Sequence, residues 1–150
     1  MKSAPIVCLL WSMTVLTPAH AIFQRQQQGI SQTQQKPEEF AEQAAYAWLH
    51  LVDSANYAES WQEAAKSFRK NVSRKDWQGQ IDSDRTPLGK VISRTLNNAT
   101  YSNALPGAPA GQYVVVQYHT RFEHKNSAVE TVACILDKDG RWRPAGYHII

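Results

Sequence analysis

The sequence predicts an α+β fold, with three N-terminal helices packed on one face of a curved, four-stranded antiparallel meander sheet. Apolar residues recur at helical spacing from Phe40 to Ile81 and place one tryptophan on each of three stripes. From Lys90 onward, β-rich runs alternate with turn residues. The final 21 residues hold the sharpest local signal: Glu130 to Leu136 and Arg141 to Ile150 flank Asp137-Lys-Asp-Gly140. That linker suits a type I turn closed by a left-handed glycine. Helices first and strands after imply segregated layers, the sheet covered on one side.

The elements follow in order. Pro37 opens the first helix, Glu38 and Glu39 sit near its positive end, and Phe40, Ala41, Ala44, Ala45, Trp48, Leu51 and Val52 form its stripe. Asp53-Ser-Ala-Asn56 ends it. Asn56 and Glu59 make a capping box for a second helix with the stripe Trp61, Ala64, Ala65, Phe68 and Val72. Ser73 and Asp76 repeat the box before a short third helix carrying Trp77 and Ile81. Arg85-Thr-Pro-Leu-Gly89 turns the chain into the strands Lys90 to Tyr101 and Tyr113 to Glu123, separated by the rigid loop Leu105 to Gly111. A polar turn, His124 to Ser127, leads to the closing hairpin.

Residues 1–21 read as a cleaved secretory signal: Lys2 is basic, Pro5 to Leu16 apolar, and Ala19-His20-Ala21 a small-x-small cleavage site. The apolar stretch is short for a span, which needs roughly 20 residues, so no stable membrane insertion is expected after cleavage. Residues 22–36 contain seven glutamines and little to bury, and read as a disordered tether. Residues 37–150 form a single domain, large enough for a core without staples. The expected location is therefore the periplasm or the exterior. Formal charge falls from +3 to +2 when Lys2 leaves, both signs are spread along the chain, and no basic stripe marks a nucleic-acid partner. Cys8 leaves with the signal, so Cys134 stands alone mid-strand and reads as a packed, inert thiol.

Pairing Asp137 with Arg141 sets Glu130 opposite His148 and Thr131 opposite Tyr147. Apolar matching sets Phe122 beside Val129, and thereby Arg121 beside Glu130. Val114, Val116, Tyr118, Phe122, Val129, Ala133, Ile135, Ala145, Tyr147 and Ile149 then share the face beneath the helices. Arg121, Glu130 and His148 form a row on the opposite face. In a concave site that trio binds an anion or moves a proton; on an open sheet it is a ladder of opposite charges. Arg85 and Arg94 lie where the helical half meets the sheet, placed to bind helix carbonyls, Asp82, Asp84 or an anion. His50 and Asp53, three apart on a helix, read as a surface pair. His119 and His124 fall on opposite faces of one strand, so no metal is expected, and no cofactor motif is present.

Several ordered segments carry a resemblance. Ala47-Trp-Leu with Val52-Asp, Tyr57, Ser60-Trp61 and Trp77 form its first part. Arg85-Thr-Pro-Leu-Gly89, Ser93-Arg94, Leu105-Pro-Gly-Ala-Pro and Gly111-Gln-Tyr-Val-Val115 continue it. Glu130-Thr-Val132, Asp139-Gly-Arg-Trp142 and Ala145-Gly-Tyr147 complete it. Together they resemble the bacterial domain of unknown function 4019 (DUF4019), a family of small exported proteins, over nearly the whole mature domain. The resemblance carries no activity and no catalytic residue. It departs at Pro144, where the family usually has an aliphatic residue; proline cannot donate to a ladder, so the last strand should be an edge there or turn its amide side to solvent. The architecture also resembles cystatin-like and nuclear-transport-factor-like folds, which host enzymes and binding modules alike.

Three functions follow as expectations. The first is a non-catalytic module binding a periplasmic protein or small ligand. The second is an enzyme using Glu130 and His148 for acid–base chemistry, with Arg121 holding an anion. The third is an assembly protein, a homodimer paired through an edge strand.

Overall fold

A computed structural model describes residues 36–150; the predicted signal segment and nearly all of the glutamine-rich tether lie outside the described residues. Helix α1, Pro37–Asp53, opens with its proline at the first turn and buries Ala41, Ala45, Trp48, Leu49 and Val52. Ala55 closes it in the left-handed conformation, φ 56°. That position is uncommon for a side chain larger than glycine and makes α1 stop sharply after Asp53.

The predicted second helix is two helices, α2 (Tyr57–Glu63) and α3 (Lys66–Asn71). Ala64 and Ala65 between them are extended, with ψ of 160° and 151°. The break has a tertiary cause. The Ala65 amide donates to the Pro144 carbonyl at 2.7 Å, and its methyl is buried with Tyr113 and Ile135. Asn56 bonds the Glu59 side chain in place of a backbone amide.

Helix α4, Arg74–Arg85, begins as expected: Ser73 Oγ accepts the Asp76 amide at 3.1 Å. Replacing Ser73 by alanine should cost about 1 kcal/mol in urea denaturation, because that amide then faces solvent unpaired. A change below a few tenths would mean that packing of Trp77 and Ile81 alone sets the start of α4.

A 3₁₀ turn, Thr86–Leu88, leads through Gly89 into the sheet. Strands β1 (Val91–Ser102), β2 (Tyr113–Phe122), β3 (Ala128–Leu136) and β4 (Trp142–Ile149) form an antiparallel meander in sequence order. The fold is α+β, helices first and a four-stranded sheet after. In the last hairpin Gly140 takes φ 77°, and Asp137 donates to the Arg141 carbonyl at 2.9 Å, as the turn residues required.

Two features of register differ from expectation. Strands β2 and β3 pair Tyr118 with Glu130 and Thr120 with Ala128, three residues away from the Phe122–Val129 match. The end of β2 stays with the first strand, through Glu123 N to Lys90 O at 2.9 Å, and a wide loop leads to β3. An odd slip exchanges faces, so Glu130, Val132 and Cys134 point toward the helices. On the other side the register runs true to Cys134–Pro144, then Ala145 is bulged out and Ala133 meets Gly146. Beyond the bulge Val132 pairs with Tyr147, Thr131 with His148 and Glu130 with Ile149.

The main core lies between α1, α4 and the inner sheet face. Trp48, Trp77 and Tyr147 meet there, ring centroids 5.5 to 6.5 Å apart. Ser60, wholly buried, receives the Trp48 indole on its carbonyl and the Trp77 indole on its hydroxyl. Cys134 is buried, and burial pushes its thiol up to about 12, so it stays protonated. Pro144 does sit on the edge strand β4, and the α2–α3 joint holds its carbonyl. The opposite edge, β1, is interrupted by irregularities at Ile92 and Asn97. Among the described residues no helix is long and apolar enough to cross a membrane.

Candidate functional site

Four charged side chains from four elements close into a ring. Asp53 comes from the last residue of α1, Arg85 from the end of α4, Arg94 from the inner face of β1 and Glu130 from the inner face of β3. Arg85 donates through Nη2 to Asp53 Oδ1 at 2.6 Å and through Nη1 to Glu130 Oε1 at 2.8 Å. Arg94 donates through Nε to Glu130 Oε2 and through Nη1 to Asp53 Oδ2, both at 2.7 Å. Each guanidinium thus bridges both carboxylates, and the ring carries no net charge.

Glu130 is the most deeply set member, with none of its surface exposed. Its two oxygens accept two further bonds, from Tyr147 Oη at 2.7 Å and Thr120 Oγ1 at 2.5 Å. Four donors meet a carboxylate that has roughly four acceptor positions. Such a group is held in place and has no site left for a substrate proton. Arg85 packs its guanidinium over the Phe122 ring, 4.8 Å from the centroid.

Charge complementarity overrides burial at Asp53, Arg85 and Arg94. For Asp53, burial works to raise the carboxyl, but hydrogen bonds and charge from Arg94 and Arg85 outweigh it and hold it below its ordinary value. Burial likewise works to lower Arg94 and Arg85. Asp53 and Glu130 push Arg94 up; for Arg85 the Tyr147 hydroxyl acts with the two carboxylates. Tyr147 is raised by burial and by the neighbouring Glu130 charge, so its hydroxyl remains a donor.

The ring forms the floor of a cleft of about 470 Å³ between α1 and β1, lined by Tyr46, His50, Asp53, Arg85, Gly89, Lys90, Val91, Ile92, Ser93 and Arg94. Gly89 fixes its near end. At φ 74°, a Cβ there would lie 2.7 Å from Glu123 Oε2, the same oxygen that receives the Lys90 amide at 2.8 Å. The turn therefore fixes the Lys90 backbone at the cleft; its exposed side chain makes no ion pair among the described residues.

The structure unites three of the residues singled out from sequence, Arg85, Arg94 and Glu130, and separates the other two. Arg121 is exposed and pairs with Ser93; His148 is exposed and pairs with Thr131; both lie on the sheet face away from the helices. The row Arg121–Glu130–His148 does not form, because the β2–β3 slip turns Glu130 inward and the Ala145 bulge moves His148 one place along. Nor does Asp53 pair with His50, which stands edge-on to Tyr46 while Asp53 binds the two arginines. Asp82 goes to the Thr86 hydroxyl. Asp53, Thr120 and Tyr147 were not anticipated as site residues. One signal for Asp53 was present: a carboxylate at a helix C-terminus is unfavourable and calls for a nearby cation.

Comparison with known families matches residues 44–147 to the family described as "Protein of unknown function (DUF4019)". The chain belongs to that family. No curated protein matches it. Within this DUF4019 chain, the segments that carry the family resemblance supply Asp53, Arg85, Arg94, Glu130 and Tyr147, dispersed in sequence and joined in one network. Among the described residues of the DUF4019 domain, no three His, Cys, Asp or Glu side chains gather as metal ligands.

Proposed function

We propose that this DUF4019 domain is a non-catalytic binding module that works after export to the periplasm, and that the cleft over the ion ring is its binding surface. One observation carries the reading. Glu130, the carboxylate best placed for acid–base work, is sealed from solvent and saturated by Arg85, Arg94, Tyr147 and Thr120. A group bound in that way shapes a site without reacting in it. The acid–base alternative draws no support from a His148 on the opposite face of the sheet. Edge pairing draws little from a β1 interrupted twice and a β4 bulged at Ala145 beside Pro144.

The test is an amide-resolved NMR screen of the residues 37–150 domain with neutral, cationic and anionic fragments. Shifts should concentrate at Tyr46, His50 and Lys90 to Arg94. Hits that collect instead around His119 and His148 on the open sheet would place binding elsewhere. Turnover that disappears in a folded Glu130→Gln variant would restore the enzyme reading.

A further inference from the structure

Resting on the binding reading above, we propose that the cleft takes a monoanionic organic carboxylate with an apolar body. Charge counting favours an anion. The cleft wall presents Arg85, Lys90 and Arg94 against Asp53, with Glu130 beneath. Because the ring is neutral by itself, the balance left among the residues that line the cleft is the single charge of Lys90. The Glu123 carboxylate lies behind the Gly89 turn rather than in the lining. A dianion would bring its second charge against Asp53 without a matching cation. A cationic ligand would find no free carboxylate in the ring, because both are already held by the two arginines.

Unused donors favour a carboxylate as the head group. A guanidinium offers five N–H donors in a planar fork. Arg94 spends one from Nε, one from Nη1 and one from Nη2, which leaves a hydrogen on each terminal nitrogen. Arg85 also has an Nε without any partner, but that atom is itself buried, so the donors counted for the head group are those of Arg94 and Lys90. A carboxylate bridging Lys90 and the free Arg94 hydrogens meets a charged donor on each oxygen.

The walls account for the apolar body. Tyr46 and Ile92 flank the cleft with about half of their surfaces exposed, 52% and 51%. Leu96, two places beyond Arg94 on the same face of β1, is 44% exposed. Large apolar side chains left open beside a charged floor fit a molecule with one charged end and one apolar end. Such chemistry is offered by a free aliphatic acid and by a protein C-terminus ending in an apolar residue.

The experiment is NMR titration of the domain with hexanoate, hexanamide and hexylammonium. Two further arms are an acetylated tripeptide ending in leucine and its C-terminal amide. Hexanoate should saturate with shifts at Tyr46, His50 and Lys90 to Ile92, and Lys90→Ala, on an exposed side chain, should weaken it roughly tenfold or more. Equal or tighter binding by the free-acid peptide, lost in its amide, assigns the carboxylate to a chain terminus; hexanoate alone assigns it to a small acid. If hexanamide or hexylammonium saturates the same residues as well as hexanoate, the carboxylate assignment is overturned while the binding module stands. If no probe saturates there and the fragment screen also misses the cleft, both are overturned.

Discussion

Glu130→Ala should lower the stability of the domain by about 3–5 kcal/mol, measured by urea denaturation of the folded protein. Removing that carboxylate leaves Arg85 and Arg94 buried with only the partly exposed Asp53 to offset them. It also strips the acceptor from Tyr147 and Thr120. The figure is the cost of stranding two cations, and says little about what the ring adds over a hydrocarbon core. Replacing all four ring residues by apolar side chains of similar volume is the informative contrast, because such swaps are often neutral or stabilising. Arg121→Ala and His148→Ala, on the outer face, should each stay within about 0.5 kcal/mol of the parent. A Glu130→Ala cost below about 1 kcal/mol would show that water reaches the ring and that its burial is only nominal.

Trp77→Ala should cost a comparable 3–5 kcal/mol. Trp77 touches Trp48, Phe68 and Tyr147, and its indole N–H is bound by the buried Ser60 hydroxyl at 3.0 Å. The substitution leaves a cavity and unseats Tyr147, whose hydroxyl reaches Glu130. A Trp77→Phe variant helps separate these effects, since it keeps most of the volume while losing the hydrogen bond to Ser60 and part of the ring; it should cost about 1–2 kcal/mol. A double variant with Tyr147→Phe should then be non-additive, because both residues act on one network. Strict additivity would mean that the tryptophan core and the ion ring are independent.

Much of this architecture could be read from residue types. Pro37, the Ser73–Asp76 box, the Gly140 turn and Pro144 on an edge strand each act through local chemistry, and each stands where that chemistry put it. The losses share a cause: they depend on partners distant in sequence. Strand β3 carries apolar residues on both faces, so alternation alone could not decide whether Glu130 or Val129 pointed inward. The deciding partners, Arg85 and Arg94, lie 45 and 36 residues away. The bulge at Ala145 left only Gly146 as a trace, a glycine inside a strand. The break at Ala64-Ala65 left none, because alanine favours helix and the force that opens it comes from the Pro144 carbonyl. Arg85 and Arg94 were legible as site residues because charged side chains at a helix–sheet seam need partners wherever those partners come from.

The ring also constrains how the domain can come apart. Its members arrive from the first helix, the fourth helix, the first strand and the third strand, and its contacts span 32 to 45 residues. A chain that has emerged only as far as Gly89 possesses Asp53 and Arg85 alone, and one that ends after β2 has two cations for one anion. A fragment that contains Arg94 but stops short of Glu130 therefore buries unbalanced charge if it collapses in the native manner. The ring thus ties the helical half to the sheet, and a single unfolding transition is the expected result for the domain.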